Sequence, residues 1–97
     1  MRVLVFNTSN GNVFITEHGQ LLIKDRLLTV SKFFSMDVMA QVFSSYEAGK
    51  RFIRERDNRT TLTITDTYVE VAARDLYWRG VIKASKLITI EPGEGPF

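Results

Sequence analysis

An Asn-Gly dipeptide between two short apolar runs is the feature that most constrains this fold. Asn10-Gly11 separates residues 3–6 from residues 13–16, and this dipeptide readily supplies the two positive φ angles of a type I′ hairpin turn. Pairing around that turn predicts that Phe6 lies opposite Ile15. Strand alternation then gives each face of the hairpin an apolar set: Leu4, Phe6, Val13 and Ile15 on one, and Val3, Val5 and Phe14 on the other. Because both faces are apolar, we expect the hairpin to be covered on both sides or to pair with another chain.

The hairpin continues into a predicted meander of four strands. Residues 17–20 hold a glycine where a tight turn needs one, so residues 20–23 are predicted to run back beside the second strand. A charged stretch then interrupts the apolar residues, and residues 27–30 are predicted as the fourth strand.

A single helix is predicted at about residues 36–56. Ser35 is its expected N-cap, and Asp37 lies in the first turn, where the helix dipole favours a negative charge. Residues at helical spacing define the expected buried stripe: Val38, Val42, Tyr46, Gly49, Phe52 and Ile53. Met39 and Phe43 are expected beside it, on the exposed side. Within the stripe, Gly49 is expected to allow close approach to the sheet, and Asn58 is expected to end the helix.

Beyond the helix, the pattern returns to the two-residue period of strands. The predicted strands cover residues 61–65, 68–72, 76–83 and 87–90. Gly80 indicates a bulge or a close backbone approach, and residues 91–97, rich in Gly and Pro, predict an extended tail. The fold class is therefore α+β: an antiparallel β-meander of hairpins, with about six or seven short strands, packed on one central helix.

Length and composition bound the class of protein. At 97 residues the chain has the size of one domain, covering residues 1–97. It has no cysteine, which excludes disulfides, thiolate metal sites and thiol nucleophiles. The apolar run near the N-terminus is too short for a signal peptide or a membrane span. We therefore expect a cytoplasmic protein with no membrane association.

The titratable side chains give little support to catalysis. His18 is the only histidine and falls in a predicted turn, which argues against a histidine metal cluster or a two-histidine acid–base pair. Asp66, Glu70 and Asp75 lie on neighbouring predicted strands and turns, where two of them could converge, but each has a structural use there. We expect no enzyme activity, catalytic residue, metal or cofactor. A carboxylate-dependent hydrolase is the weakest alternative.

Basic residues are concentrated in the second half of the chain. Residues 50–90 carry nine basic and five acidic side chains, whereas the preceding residues carry four of each. Such a surplus favours an anionic partner, and interleaved aromatic residues favour stacking on unpaired bases. The predicted nucleic-acid-binding residues are Lys50, Arg54, Arg56, Arg59, Arg74, Tyr77, Arg79, Lys83 and Lys86. In the structural interpretation, Arg51 instead forms i,i+4 pairs with Glu47 and Glu55 on a solvated helix face.

Protein binding is the first functional prediction, and nucleic-acid binding through residues 50–86 is the alternative. The small size, the apolar hairpin and the sheet edges suit an accessory module, an inhibitor or adaptor that acts on a larger protein or complex. Phages and mobile elements encode small proteins of this character, including anti-defence proteins, an analogy of size and fold class only. The candidate contact residues are Met39, Phe43, Arg51, Arg54 and Phe97. A homodimer is one form that this interaction can take.

Overall fold

Eight strands and one helix form the described part of the chain, which in this computed structural model comprises residues 1–91 and Gly93. The elements are β1 (Arg2–Thr8), β2 (Gly11–Thr16), β3 (Gln20–Lys24), β4 (Thr29–Phe33), α1 (Met36–Glu47), β5 (Phe52–Asp57), β6 (Thr60–Thr65), β7 (Tyr68–Ala72) and β8 (Tyr77–Thr89). The predicted tail at residues 91–97 lies mostly outside the described residues. No helix in the described ranges has both the length and the apolar character needed to cross a bilayer.

All strand pairs are antiparallel, and β8 joins the two halves of the sheet. The strand order is β4-β3-β2-β1-β8-β7-β6-β5. β8 pairs with β7 through residues 77–81 and with β1 through residues 82–89. The register shifts between Asn7 and Thr8, which leaves Lys83 of β8 as an unpaired bulge. The predicted α+β class with an antiparallel sheet is confirmed, and the last two predicted strands are one continuous strand.

Both halves of the sheet bury one face in a shared core. Apolar side chains from β1–β3 and from β5–β8 form one cluster with those of α1. α1 connects the two edge strands, β4 and β5, and packs into the same core. Two contacts tie the end of β4 to the other half: Lys32 Nζ donates to Asp75 (3.1 Å), and the Ser35 N–H donates to Asp57 (2.5 Å). The sheet is therefore curled so that its two ends approach each other.

The first hairpin has a register two residues away from the predicted one. Phe6 pairs with Val13 and not with Ile15. The turn residues are 9–10, and of the residues around them only Gly11 has a positive φ (100°). This matches a type I turn followed by a glycine bulge, whereas a type I′ turn needs two positive φ angles. A slip of two residues keeps every side chain on its face, so the four side chains predicted for one face are all buried in the core.

The helix is shorter than predicted because Gly49 ends it. α1 stops at Glu47, and Gly49 has a positive φ of 74°. The Gly49 N–H donates to Tyr46 O (3.0 Å) and the Lys50 N–H donates to Ser45 O (3.1 Å), which are the two bonds of a Schellman C-cap. A Cβ at Gly49 would meet no atom within 4 Å. The glycine is thus a helix terminator, and the expected close approach to the sheet is absent.

The predicted exposed side of the helix is wrong. Met39 and Phe43 are only 0% and 2% exposed, and both belong to the core. Three residues of the predicted stripe, Gly49, Phe52 and Ile53, lie outside the helix. Within the helix, the expected buried face is rotated relative to the observed one. The side chains that α1 buries are Met39, Val42, Phe43 and Ser45. Neither Met39 nor Phe43 is available for a surface contact.

Residues 52–56, predicted as the end of the helix, belong to the edge strand β5 (Phe52–Asp57). Burial alternates along it, with Ile53 buried and Phe52 and Arg54 exposed. Asn58, expected to end the helix, has a φ of 57° in the two-residue turn between β5 and β6. Asparagine tolerates this left-handed conformation better than most residues. The unpredicted strand gives eight strands in place of six or seven.

The fourth strand begins two residues later than predicted. The Asp25 carboxylate accepts hydrogen bonds from the backbone N–H groups of Leu27 (2.9 Å) and Leu28 (2.5 Å). An aspartate that bonds the backbone two residues on holds the chain in a turn. β4 therefore starts at Thr29 and extends to Phe33.

Candidate nucleic-acid interface

Strands β5–β8 bury one face of their half of the sheet in the core, and the other face points outward, although Thr63 at its centre is only 1% exposed. The buried face consists of Ile53, Leu62, Ile64, Val69, Val71 and Trp78. The alternate positions point outward and form what we call the arginine face: Phe52, Arg54, Arg56, Thr61, Thr63, Thr65, Tyr68, Glu70, Ala72, Tyr77, Arg79 and Val81. This surface gathers three arginines and three aromatic rings. Trp78 is only 4% exposed and belongs to the core.

The register arranges the arginine face in rows across the four strands. The central row is Arg54, Thr63, Glu70 and Arg79. One flanking row contains Phe52 and Tyr68, and the other contains Arg56 and Tyr77. Residues two apart on a strand are separated by about 7 Å. On β5 the exposed Phe52 therefore lies about 7 Å from Arg54, and on β8 the exposed Tyr77 lies about 7 Å from Arg79, a spacing comparable to the size of a nucleotide.

Two of the arginines lie over aromatic rings of the same face. The guanidinium carbon of Arg79 is 3.9 Å from the Tyr68 ring centroid, and that of Arg54 is 5.0 Å from the Phe52 ring centroid. Arg54 Nε also donates to the Thr63 hydroxyl (3.3 Å). None of the three arginines forms an ion pair with a described residue. The cation–π contacts orient the guanidinium groups while leaving their charge uncompensated.

Glu70 is the single acidic residue of the arginine face. Its carboxylate accepts a hydrogen bond from the Tyr77 hydroxyl (2.9 Å). The Tyr77 side chain is nevertheless 64% exposed, so the bond fixes the ring without covering it. Because three arginines share the surface with one glutamate, the arginine face is positively charged at neutral pH.

The structure brings only part of the predicted basic set onto this face. The members on it are Arg54, Arg56, Tyr77 and Arg79. Arg59 and Arg74 lie in the β5–β6 and β7–β8 turns, which both flank the same end of the face. Lys50 precedes β5 at the opposite end. Lys83 is the bulge of β8, and Lys86 lies in the part of β8 that pairs with β1, so these two lysines belong to the other half of the sheet.

Two concavities lie outside the arginine face. One of about 310 Å³ is on the outer side of β1, β2 and β8 and is lined in part by Asn7, Asn12 and Lys86. The other, of about 170 Å³, is near the C-terminal end of α1 and is lined in part by Lys50 and Arg51. Among the residues that the structure describes, no group of three or more His, Cys, Asp or Glu side chains is placed to hold a metal ion.

The candidate carboxylates serve separate structural contacts. Asp75 pairs with Lys32 (3.1 Å), and the hydrogen bond from Lys32 lowers the pKa of Asp75. Asp66 accepts a hydrogen bond from the adjacent threonine hydroxyl, and Glu70 is bonded to the tyrosine described above. His18 is exposed in the β2–β3 turn. The absence of enzyme activity stays a prediction, and these contacts give the hydrolase alternative no further support.

The predicted protein-binding residues are not brought together. Arg51 and Arg54 are exposed, Met39 and Phe43 are in the core, and Phe97 lies outside the described residues. Arg51 also forms neither expected helical pair, because it lies beyond the end of α1. Glu47, one of its expected partners, is bonded to Arg2 instead.

Phe52 and Tyr68 are site residues that the sequence-based prediction omits. Phe52 is assigned there to the buried helix stripe, yet it is 55% exposed on a strand. The available signal is the exchange of basic and acidic side chains at every position over residues 54–57, which fits the two-residue period of a strand. Tyr68 lies between the predicted cations without being assigned to the site. The register with β8 is what places it under Arg79.

The arginine face is thus an exposed antiparallel surface with oriented cations and accessible rings. Comparisons of the chain with protein-family models, with curated proteins and with solved structures find no match.

Proposed function

We propose that the protein binds single-stranded nucleic acid, RNA or DNA, on the arginine face. The observation that carries the proposal is the placement of Arg54 and Arg79 over aromatic rings, with Arg56 on the same sheet surface. Arginine attracts phosphates and also stacks on bases. Aromatic side chains on a sheet surface stack on unpaired bases of any sequence.

The exposed rings favour a single strand over a duplex. Tyr77 and Phe52 are 64% and 55% exposed, and Val81 of the same face is 49% exposed. Bases in a duplex are already stacked on their neighbours, so a flat aromatic surface gains little from them. Unpaired bases can lie on these rings while the backbone phosphates follow the arginines.

The contacts within the face support binding without a large entropic cost. An arginine side chain that must be ordered on binding loses roughly 0.5–1.5 kcal/mol. Arg79 and Arg54 are already held over Tyr68 and Phe52. Part of that ordering is therefore complete in the free protein.

Fluorescence anisotropy with labelled oligothymidylate and oligouridylate tests the proposal. We expect binding at low salt that weakens as NaCl rises, with a slope in log K against log salt of about −0.7 for each neutralised phosphate. Three arginines predict a slope of about −2. Arg54→Glu and Arg79→Glu should each reduce affinity at least about tenfold, which is about 1.4 kcal/mol.

Arg26→Glu is the matched control, since it makes the same charge change at an exposed position in the β3–β4 loop, outside the arginine face. It should reduce affinity much less than either variant on the face. The proposal is wrong if neither oligonucleotide binds at low salt. It is also wrong if Arg54→Glu and Arg79→Glu leave binding unchanged.

Protein binding is the second candidate, and one observation favours it. Among the described residues, several of the exposed large hydrophobic side chains lie in one short segment: Leu27 (96%), Leu28 (54%), Phe33 (78%) and Met36 (63%). Exposed apolar groups concentrated in this way are typical of a contact surface. Recovery of the same protein partner at low and high salt, through the segment of residues 27–36, would support this candidate. An inhibitor or adaptor role and a phage origin stay predictions.

A further inference from the structure

The backbone hydrogen bonds of β4 show which of its groups face away from the sheet. Phe34 N–H donates to Gly19 O (2.7 Å), and Asp25 N–H donates to Leu28 O (3.0 Å). Hydrogen-bonded pairs alternate with non-bonded pairs in an antiparallel ladder. The even-numbered residues 28–34 therefore bond toward β3, in the register of β4 with β3.

The odd-numbered residues of β4 consequently direct their N–H and C=O groups to the open side. These residues, which we call the β4 edge, are Thr29, Ser31 and Phe33, and all three are exposed. No backbone bond joins them to another described residue on that side. Unpaired edges are templates for a further strand.

We propose that the β4 edge pairs antiparallel with the β4 edge of a second copy of this chain, with Ser31 on the twofold axis. In this register each Ser31 exchanges hydrogen bonds with the partner's Ser31, and Thr29 with the partner's Phe33. The result is one continuous sheet across two molecules. The inference is independent of nucleic-acid binding, because the β4 edge contains no residue of the arginine face.

The available backbone groups select this register over its two neighbours. A register in which the two Ser31 residues face each other pairs all three residues of each β4 edge. It gives about six backbone hydrogen bonds between the two chains. A shift by one residue in either direction leaves one residue of each edge unpaired. The shift that centres on Lys32 also sets Lys32 opposite the partner's Lys32, and like charges directly opposite are destabilising.

The side chains around the β4 edge suit a second copy. Phe33, 78% exposed, would lie opposite the partner's Thr29 with the partner's Leu27, 96% exposed, at the next diagonal position.

Lys32 does not protect the edge in the manner of many edge lysines. Its ammonium group is held by Asp75 of the β7–β8 turn (3.1 Å), and its side chain is only 24% exposed. Lys32 pairs in register with Leu21, which is completely buried, so it points to the inner side of the sheet. The open side of β4 is left without a charged side chain.

A contact of five-residue strands is small beside the roughly 1,200 Å² of a standard interface. We therefore expect a reversible dimer with a dissociation constant in the micromolar range, about 10 μM. Sedimentation velocity across a concentration series should show the 11.1 kDa chain converting to a species of twice that mass.

Ser31→Pro tests the pairing at its centre. Proline removes the N–H that faces the open side and is tolerated at edge positions of that kind, so the monomer should fold with an unchanged far-UV circular dichroism spectrum. Dimerisation should fall at least about tenfold. Ser31→Ala keeps the N–H and should dimerise like the original chain.

A cysteine at the axis provides a second measurement that does not depend on a proline variant. Residues paired across an antiparallel ladder have Cα atoms about 5.5 Å apart, which a disulfide can span. Since the chain has no cysteine, Ser31→Cys should form a covalent dimer under mild oxidation without background. Ser44→Cys, at an exposed helix position, should not.

Three results would overturn the proposal. One is a chain that stays monomeric up to about 0.5 mM, fifty times the expected dissociation constant. Another is a dimer that a folded Ser31→Pro variant retains. The third is equal cross-linking of the Ser31→Cys and Ser44→Cys variants, which would indicate random collision.

Discussion

The guanidinium carbon of Arg79 lies 3.9 Å from the centroid of the Tyr68 ring. Arg79 faces Glu70 directly in the strand register, yet it forms no ion pair with it. The arginine is thus oriented by an aromatic ring, while Glu70 accepts the Tyr77 hydroxyl instead. An oriented cation without a counterion is suited to bind an anionic ligand. Substitution of Arg79 is therefore a direct test of the proposed nucleic-acid surface.

Substitution of Arg79 by Lys and by Gln should separate charge from stacking. Arg79→Lys keeps the charge but loses the planar group, so affinity for oligouridylate should fall about three- to tenfold with the salt slope unchanged. Arg79→Gln removes the charge, so the magnitude of the slope should fall by about 0.7. Anisotropy titrations at several salt concentrations measure both quantities. Identical slopes for the three proteins would show that Arg79 contacts no phosphate.

Gly80→Ala should destabilise the fold by about 1–3 kcal/mol. A Cβ at Gly80 would lie 2.2 Å from Thr8 Oγ1 and 2.7 Å from Thr8 Cβ. The strand positions are fixed by the pairing of β1 with β8, so the two backbones cannot separate without loss of ladder bonds. Urea denaturation of the two proteins measures the difference. The glycine thus leaves room for the Thr8 side chain against the β8 backbone, and the bulge of β8 lies at Lys83.

The Thr8→Gly background provides the control for this prediction. It removes the two closest atoms that the new methyl group would meet and leaves only Trp78 Cη2, at 2.9 Å, so Gly80→Ala should cost less there than in the original chain. An equal cost in both backgrounds would show that the clash with Thr8 is not the cause.

The hairpins could be predicted from the sequence, while the end of the helix could not. Leu4 and Ile15 are on the predicted face although the register is displaced, because only an odd-numbered slip exchanges the faces of a strand. The helix prediction failed after Glu47, since apolar residues at 52 and 53 fit a helical and a strand period equally well over so short a run. Gly49 decided between them through its left-handed conformation.

Gly49→Ala should destabilise the protein by about 1 kcal/mol through backbone strain alone. The φ of 74° at this position is unfavourable for a residue with a Cβ. No atom lies within 4 Å of the Cβ position, so steric clashes do not contribute. Gly49→Asn should cost less, because asparagine adopts the left-handed region more readily. Thermal unfolding should rank the melting temperatures Gly, Asn and Ala in decreasing order, and equal values for Asn and Ala would contradict this account.

The candidate site could be predicted in composition but not in arrangement. Arg54 and Arg79 are separated by 25 positions in the sequence, and only the order β5-β6-β7-β8 places them in one row. Strand order depends on pairing between distant segments, which local patterns do not determine. The same order separates Lys86 from the rest of the basic set, because β8 continues into the other half of the sheet.

Glu17 should make the stability of the fold depend on pH in the acidic range. Its carboxylate accepts the backbone N–H of Arg2 (2.8 Å) and the Arg2 Nε (3.1 Å). The backbone hydrogen bond, followed by the contact with the Arg2 side chain, lowers the pKa of Glu17 below its usual 4.5. A carboxyl group whose pKa is lower in the folded state stabilises the fold while it is ionised. This contribution is present above pH 4.5 and is lost as the pH falls through the lower folded pKa.

Glu17→Gln should therefore reduce the pH dependence of the free energy of unfolding. Urea denaturation at intervals between about pH 3 and pH 7 should show the original chain losing stability below about pH 4.5 more steeply than the variant does. Glu91→Gln is the control, since Glu91 is exposed and makes no side-chain hydrogen bond with another described residue. It should follow the original curve. Parallel curves for the original chain and Glu17→Gln would mean that the contact between Arg2 and Glu17, which joins the start of β1 to the turn after β2, adds nothing to stability.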